Sequence, residues 1–177
     1  MFKRMLGIAL LCAMAGVGGT SVASAQERTA VAAAAWVGQG RVFLTGENEA
    51  LFVGAFGGIL YVENPEGVID SAAIVCPGSI DIDLKTGGQK GAGKCILTQT
   101  DADRVFADWT CDGNTNAGCQ GTFDIIAGSG KFQGIKGSSP LRARTALREV
   151  VVNMKTGAVA EGGAGLLTLD ELKYTLP

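Results

Sequence analysis

Residues 128–139 read GSGKFQGIKGSS, a glycine-rich run with two lysines that invites a phosphate-binding reading. A P-loop needs G-x-x-x-x-G-K-[ST] between a strand and a helix, so that backbone N–H groups converge on a phosphate. Here Lys131 is followed by Phe132, and no glycine stands at the required place upstream. A dinucleotide fingerprint, G-x-G-x-x-G, misses by one position, because Gln133 occupies its third glycine site. Both readings fail on spacing and on context, since the glycines that follow propagate a helix poorly. The run therefore reads as a turn: Gly128-Ser129-Gly130 supplies positive φ, Phe132 and Ile135 pack inward, and Gly134 and Gly137 permit bends.

Other side chains could do chemistry. Asp81 and Asp83 share one face of a strand, where a carboxylate pair can shuttle protons or hold a cation. Ile80, Ile82 and Leu84 take the opposite face, so the simpler reading is a solvated exterior. Asp101 and Asp103 resemble the start of a calcium loop without the rest of it, and read as turn formers. Arg142 and Arg144 share a face and are candidates for a barrel mouth that holds a carboxylate; the alternative is a charged exterior. Tyr61, Trp36 and Trp109 are candidates for stacking on a ligand, or plain core. Ser79 and Ser129 lack a base, because the chain has no histidine and no S-x-x-K near a helix. That absence also removes Ser-His-Asp and Cys-His catalysis.

The cysteines say more. Cys76, Cys95, Cys111 and Cys119 follow a fifth, Cys12, near the N-terminus. The closest pair has seven residues between its members and no histidine accompanies it, so a zinc site is not expected. An even count in an exported chain points to disulfides. Cys111 and Cys119 flank a sharply turning loop, 112–118, and Cys76 and Cys95 flank the Thr86-Gly87-Gly88 turn, so these two pairings are favoured. Pairing of Cys95 with Cys111 is the rival, and it leaves Cys76 to reach Cys119.

Export is itself a sequence expectation. Lys3 and Arg4 precede an apolar run from Met5 to Val17, and Ala23-Ser24-Ala25 forms an A-x-A site before Gln26. The run is shorter than the ~20 residues of a membrane span, so residues 1–25 read as a secretory leader and 26–177 as a single domain, periplasmic or secreted. Losing Lys3 and Arg4 takes the formal net charge from −2 to −4, with no basic footprint for nucleic acid or for a membrane surface. No cofactor is expected.

These residues need elements to position them. Glycine supplies 23 of the 152 residues after the leader, well above the usual ~7%. The glycines lie between runs of period two: Ser79 to Leu84 alternates, Lys94 to Thr100 and Arg104 to Cys111 flank Asp101-Ala102-Asp103, and Leu141 to Val152 alternates again. Ala50 to Val62 is aromatic and β-branched around Gly57-Gly58, which predicts a bulge, a bend or two strands. Val68 to Val75 and Gly121 to Ala127 add β-type runs, Lys155-Thr156-Gly157 a turn, and Val159 to Leu169 a final strand. Only Arg28 to Ala35 and Leu169 to Leu176 carry helix-like composition or spacing, and both are short. Seven or eight short strands predict an all-β sandwich or closed barrel with little helix.

The segment from Gly121 to Gly137, GTFDIIAGSGKFQGIKG, resembles the G-x-F-x-[IL]-x-G-G-[TS]-G-[KR]-F-x-G-I-x-G signature of the allene oxide cyclase-like and dirigent-like β-barrels, which small bacterial domains share. The resemblance spans residues 71–144, and Ala127 stands where glycine is common. It implies an antiparallel barrel of about eight strands, calycin-like, with an apolar interior and often oligomeric. It carries over no catalytic residue. Two function classes follow. One is an exported barrel binding a small apolar ligand or a partner protein, with homo-oligomerisation open. The other is a cyclase or isomerase acting on a small hydrophobic substrate inside the barrel, with a carboxylate or tyrosine as acid–base group.

Overall fold

The computed structural model describes residues 26–67, 69–99, 103–152 and 159–176. Outside them lie the expected leader, Val68, the Asp101-Ala102 part of the hairpin tip and the Lys155-Thr156-Gly157 turn, and the side chains of 69, 147–152, 160 and 161 are likewise not described. Eight antiparallel strands run in chain order around a closed barrel. They are β1 (Gln26–Leu44), β2 (Glu49–Glu63), β3 (Ile69–Asp83), β4 (Gly88–Thr98), β5 (Arg104–Asn114), β6 (Gly118–Gly128), β7 (Lys136–Val152) and β8 (Val159–Leu176). Strand β8 closes on β1, from Gln26↔Leu176 to Val42↔Val159, which leaves no sheet edge open to pairing. One 3₁₀ turn, Gly130–Phe132, is the only helix among the described residues. The all-β barrel expected from the period-two runs is the fold observed.

Three local expectations are corrected. Arg28 to Ala35 is strand, not helix: Ala30, Ala32 and Ala34 alternate along it as its buried residues. Leu169 to Leu176 is also strand. Leu169 and Leu172 both face inward although they are three residues apart, because β8 carries an extra residue there: Ala32 pairs with Leu169 but Ala30 with Leu172. That bulge shifts the phase of the strand and imitates helical spacing. In β2, Gly57-Gly58 neither bulges nor splits the strand. The register runs unbroken on both sides, and a Cβ at Gly58 would strike the Ala35 carbonyl.

The two ends of the barrel differ. At one end lies the 3₁₀ turn, and its partly buried Phe132 and the buried Ile135 that follows it belong to the core cluster that also holds Leu97, Val105 and Ile125. At the other, the β3–β4 turn is built around Asp83. Its carboxylate accepts from Lys85 N (2.8 Å), Thr86 N (3.1 Å) and Thr86 Oγ1 (2.7 Å). Gly87, at φ 74°, lets the chain reverse, and Asn114 Nδ2 donates to Thr86 O, tying this turn to the β5–β6 turn. The Thr86 hydroxyl, then the two amides, hold the Asp83 carboxyl below the ordinary aspartate range. A carboxyl whose folded-state pKa lies below its unfolded value stabilises the fold above the unfolded value, and loses that contribution as pH falls through the folded one. Carbon-detected NMR should therefore find Asp83 titrating below unfolded-peptide aspartate, with the turn amides of Lys85 and Thr86 shifting at the same midpoint. An Asp83 midpoint at or above the peptide value would contradict this reading.

Candidate functional site

Alternation along the strands assigns the interior. Ala34, Trp36, Phe52, Phe56, Ile74, Cys76, Ile80 and Ile82 come inward from β1 to β3, and Cys95, Trp109, Cys111, Phe123, Leu141 and Ala143 from β4 to β7. They surround a cavity of about 130 Å³ in the half of the barrel nearer the Asp83 turn. That is close to the size of an apolar cavity that stays dry and admits benzene.

Aromatic rings frame it. Trp36 meets Phe56 edge to face at 5.4 Å between centroids, Phe56 meets Trp109 edge to face at 6.1 Å, and Phe52 tilts against Phe56 at 5.7 Å. Glycines make room for these rings. The Trp109 indole lies over β3 and β4: a Cβ at Gly91 would stand 3.0 Å from it, and one at Gly93 would meet its Nε1 at 2.6 Å. Trp109 is 8% exposed, and its Nε1 is buried without a hydrogen-bond partner.

Both disulfides point into this interior. Cys76 on β3 joins Cys95 on β4 with Cα atoms 4.0 Å apart, and Cys111 on β5 joins Cys119 on β6 at 5.5 Å. The second bond runs diagonally. Asp112 to Asn114 are strand residues rather than loop, and Cys119 stands opposite Gly113.

The polar side chains lining the cavity are Gln89 and Thr145, both towards its outer end. Among the described lining residues there is no Asp, Glu, Lys, Arg or Tyr. The chemistry that the described lining residues offer is apolar contact, aromatic edges and neutral hydrogen-bonding groups.

Of the residues singled out from sequence, Trp109 and Trp36 reach the cavity. The other ligand candidates lie outside the cavity. Leu141 and Ala143 take the inner positions of β7, so Arg142 and Arg144 project outward, and Arg142 Nη1 lies 3.3 Å from Asp170 Oδ2 on β8. Leu60 and Val62 take the inner positions of β2, which leaves Tyr61 outside and 55% exposed. Asp81 and Asp83 face solvent, as their alternation with Ile80 and Ile82 requires. Leu84, expected inside, is exposed because β3 ends at Asp83. The residues missed were Phe52, Phe56, Gln89 and Thr145. Only the two phenylalanines had a legible signal, the even phase they share with Ala50 and Leu60 on β2.

The glycine-rich run is closed to phosphate. Asp103 Oδ1 accepts from Lys131 N at 3.2 Å, where an incoming anion would sit. Lys131 Nζ lies 3.9 Å from Asp103 Oδ2 and 5.3 Å from the centre of the Phe132 ring. Gly130 and Gly134 hold φ of 58° and 83°, the turn geometry expected of them.

No protein-family model matches this chain, and no curated protein matches it. Among solved structures, it is similar to the pterocarpan synthase dirigent protein GePTS1, at 9% identity and a TM-score of 0.36, over 82% of this chain and 93% of that one. The barrel and its register are read from the strand pairings of this chain itself.

Proposed function

We propose that this chain is an exported binding barrel that holds a small apolar ligand, of about the size of one aromatic ring, in the cavity between Trp36, Phe56 and Trp109. The observation that carries this reading is the cavity itself: an apolar hollow walled by aromatic rings, with two neutral polar groups near its outer end. Two disulfides suit an oxidising compartment, and the A-x-A leader pattern supports export. No helix among the described residues is long and apolar enough to cross a membrane. The cyclase or isomerase alternative needs an acid–base side chain at the ligand, and Tyr61, Asp81 and Asp83 stand on the outer surface.

Toluene is a suitable probe, read by the fluorescence of the two cavity tryptophans. Saturable binding is expected with a Kd on the order of 0.1–1 mM, equivalent to about 4–5.5 kcal/mol. Ala143→Phe puts a ring into the space, and the affinity should fall about tenfold or more with the circular dichroism spectrum unchanged. A linear, non-saturating response, or equal affinity in the filled variant, would count against the proposal.

A further inference from the structure

The barrel closes where its first strand meets its last, and the start of β1 is held there differently from the rest. Among the described residues, 26–30 pair with β8 alone, from Gln26↔Leu176 to Ala30↔Leu172. Pairing with β2 begins at Val31↔Glu63, and β1 is held on both sides from Ala32 onward. Gln26, Glu27, Arg28 and Thr29 are exposed, and Ala30 is the first buried residue. The start of the strand is therefore a one-sided overhang, a kind of segment that opens locally at little free-energy cost.

The residue at this end is a glutamine. Cleavage after Ala25 leaves Gln26 with a free α-amine, and the same residue carries a carboxamide that the amine reaches by closing a five-membered ring. Both reacting groups belong to one residue, so the step has the advantage of enforced proximity. We infer that Gln26 is a modification site and that the exported chain begins with 5-oxoproline (pyroglutamate). This rests on the export reading and is independent of the cavity.

The unprotonated α-amine attacks Cδ of the carboxamide. The N–Cδ bond forms, the Cδ–Nε2 bond breaks, and the proton given up by the amine leaves with Nε2 as ammonia. The balance needs no oxidant, reductant or co-reactant. An α-amine has a pKa of about 7.7–8.0, so a reactive fraction exists at neutral pH and grows as pH rises. The one-sided pairing lets Gln26 leave the ladder for the folded-back geometry of ring closure, and its exposure leaves room for the ring. The place of the ring in the fold gives it an effect. It removes the positive charge of the terminus and the free amine that an aminopeptidase requires. Without it, trimming runs along the overhang towards Ala30, whose buried side chain is part of the wall opposite Leu172.

Intact-mass spectrometry of the exported protein, produced with its own leader and held at about pH 8 where the amine is largely unprotonated, tests it. The expected mass is that of residues 26–177 less one ammonia, with the loss located by tandem spectrometry on the tryptic peptide 26–28. Gln26→Ser should be cut at the same place and keep its full mass. It should then lose its first residues to a broad-specificity aminopeptidase that leaves the wild type intact. A wild type that begins at Gln26 with its full mass overturns the inference and leaves export standing. A chain that begins elsewhere overturns the cleavage after Ala25 and the inference together. Loss of ammonia that persists in Gln26→Ser lies on another residue, and it too overturns the inference.

Discussion

Replacing Trp109 with alanine is expected to lower the unfolding free energy by about 3–5 kcal/mol. Trp109 is the central ring of the interior, against Phe56 on one side and a floor of β3 and β4 glycines on the other. Its removal leaves a void continuous with the existing cavity. The wall cannot collapse into that void, because the hydrogen-bonded ladder and the Cys76–Cys95 bond fix the strands beneath it. Trp109→Phe should cost much less. It keeps a ring in place and deletes an N–H that is buried without a partner, and removing an unmade hydrogen bond recovers part of the lost packing. Urea denaturation followed by far-ultraviolet circular dichroism measures both variants. If phenylalanine proved as damaging as alanine, the indole N–H would have a partner that the geometry does not show.

The second large effect is expected from the disulfides. Converting Cys76 and Cys95 together to alanine should destabilise the barrel by about 3 kcal/mol, and converting Cys111 and Cys119 by somewhat less, because the loop closed is shorter. The sequence separations are 19 and 8. Alanine is preferable to serine here, since three of the four cysteines are buried and a hydroxyl would be left without a partner. Thermal unfolding with and without dithiothreitol decides it: reductant should bring the wild type close to the quadruple variant and leave that variant unmoved. A wild type insensitive to reductant, once its thiols are shown to be free, would mean that the bonds do not support the fold.

How much of this was legible beforehand depends on how local each signal is. The barrel was legible because alternation is local: Ser79 to Leu84 shows its two faces within six residues. The turn at Gly128–Gly134 was legible for the same reason, since positive φ is a property of single residues. What failed was whatever depended on closure. Ala30, Ala32 and Ala34 look helical until β8 is known to lie beside them. The Leu169–Leu172 spacing cannot be told from a helical step without seeing the bulge. The site was half legible. Trp36 and Trp109 could be singled out as aromatics, but the inward phase of β7 and β2, which excludes Arg142, Arg144 and Tyr61, depends on which face closes on the core. Arginines that share a strand face look the same in sequence whether they line a mouth or coat the exterior.

The claim that the barrel interior is a ligand site is tested most directly by intermolecular nuclear Overhauser effects between unlabelled toluene and carbon-13-labelled protein. The account predicts contacts from toluene to the methyl groups of Ile74, Ile80, Ala143 and Leu167, all of which line the cavity. Contacts confined to Val37, Ile59 and Val75 on the outer wall, or none at saturating toluene, would contradict it.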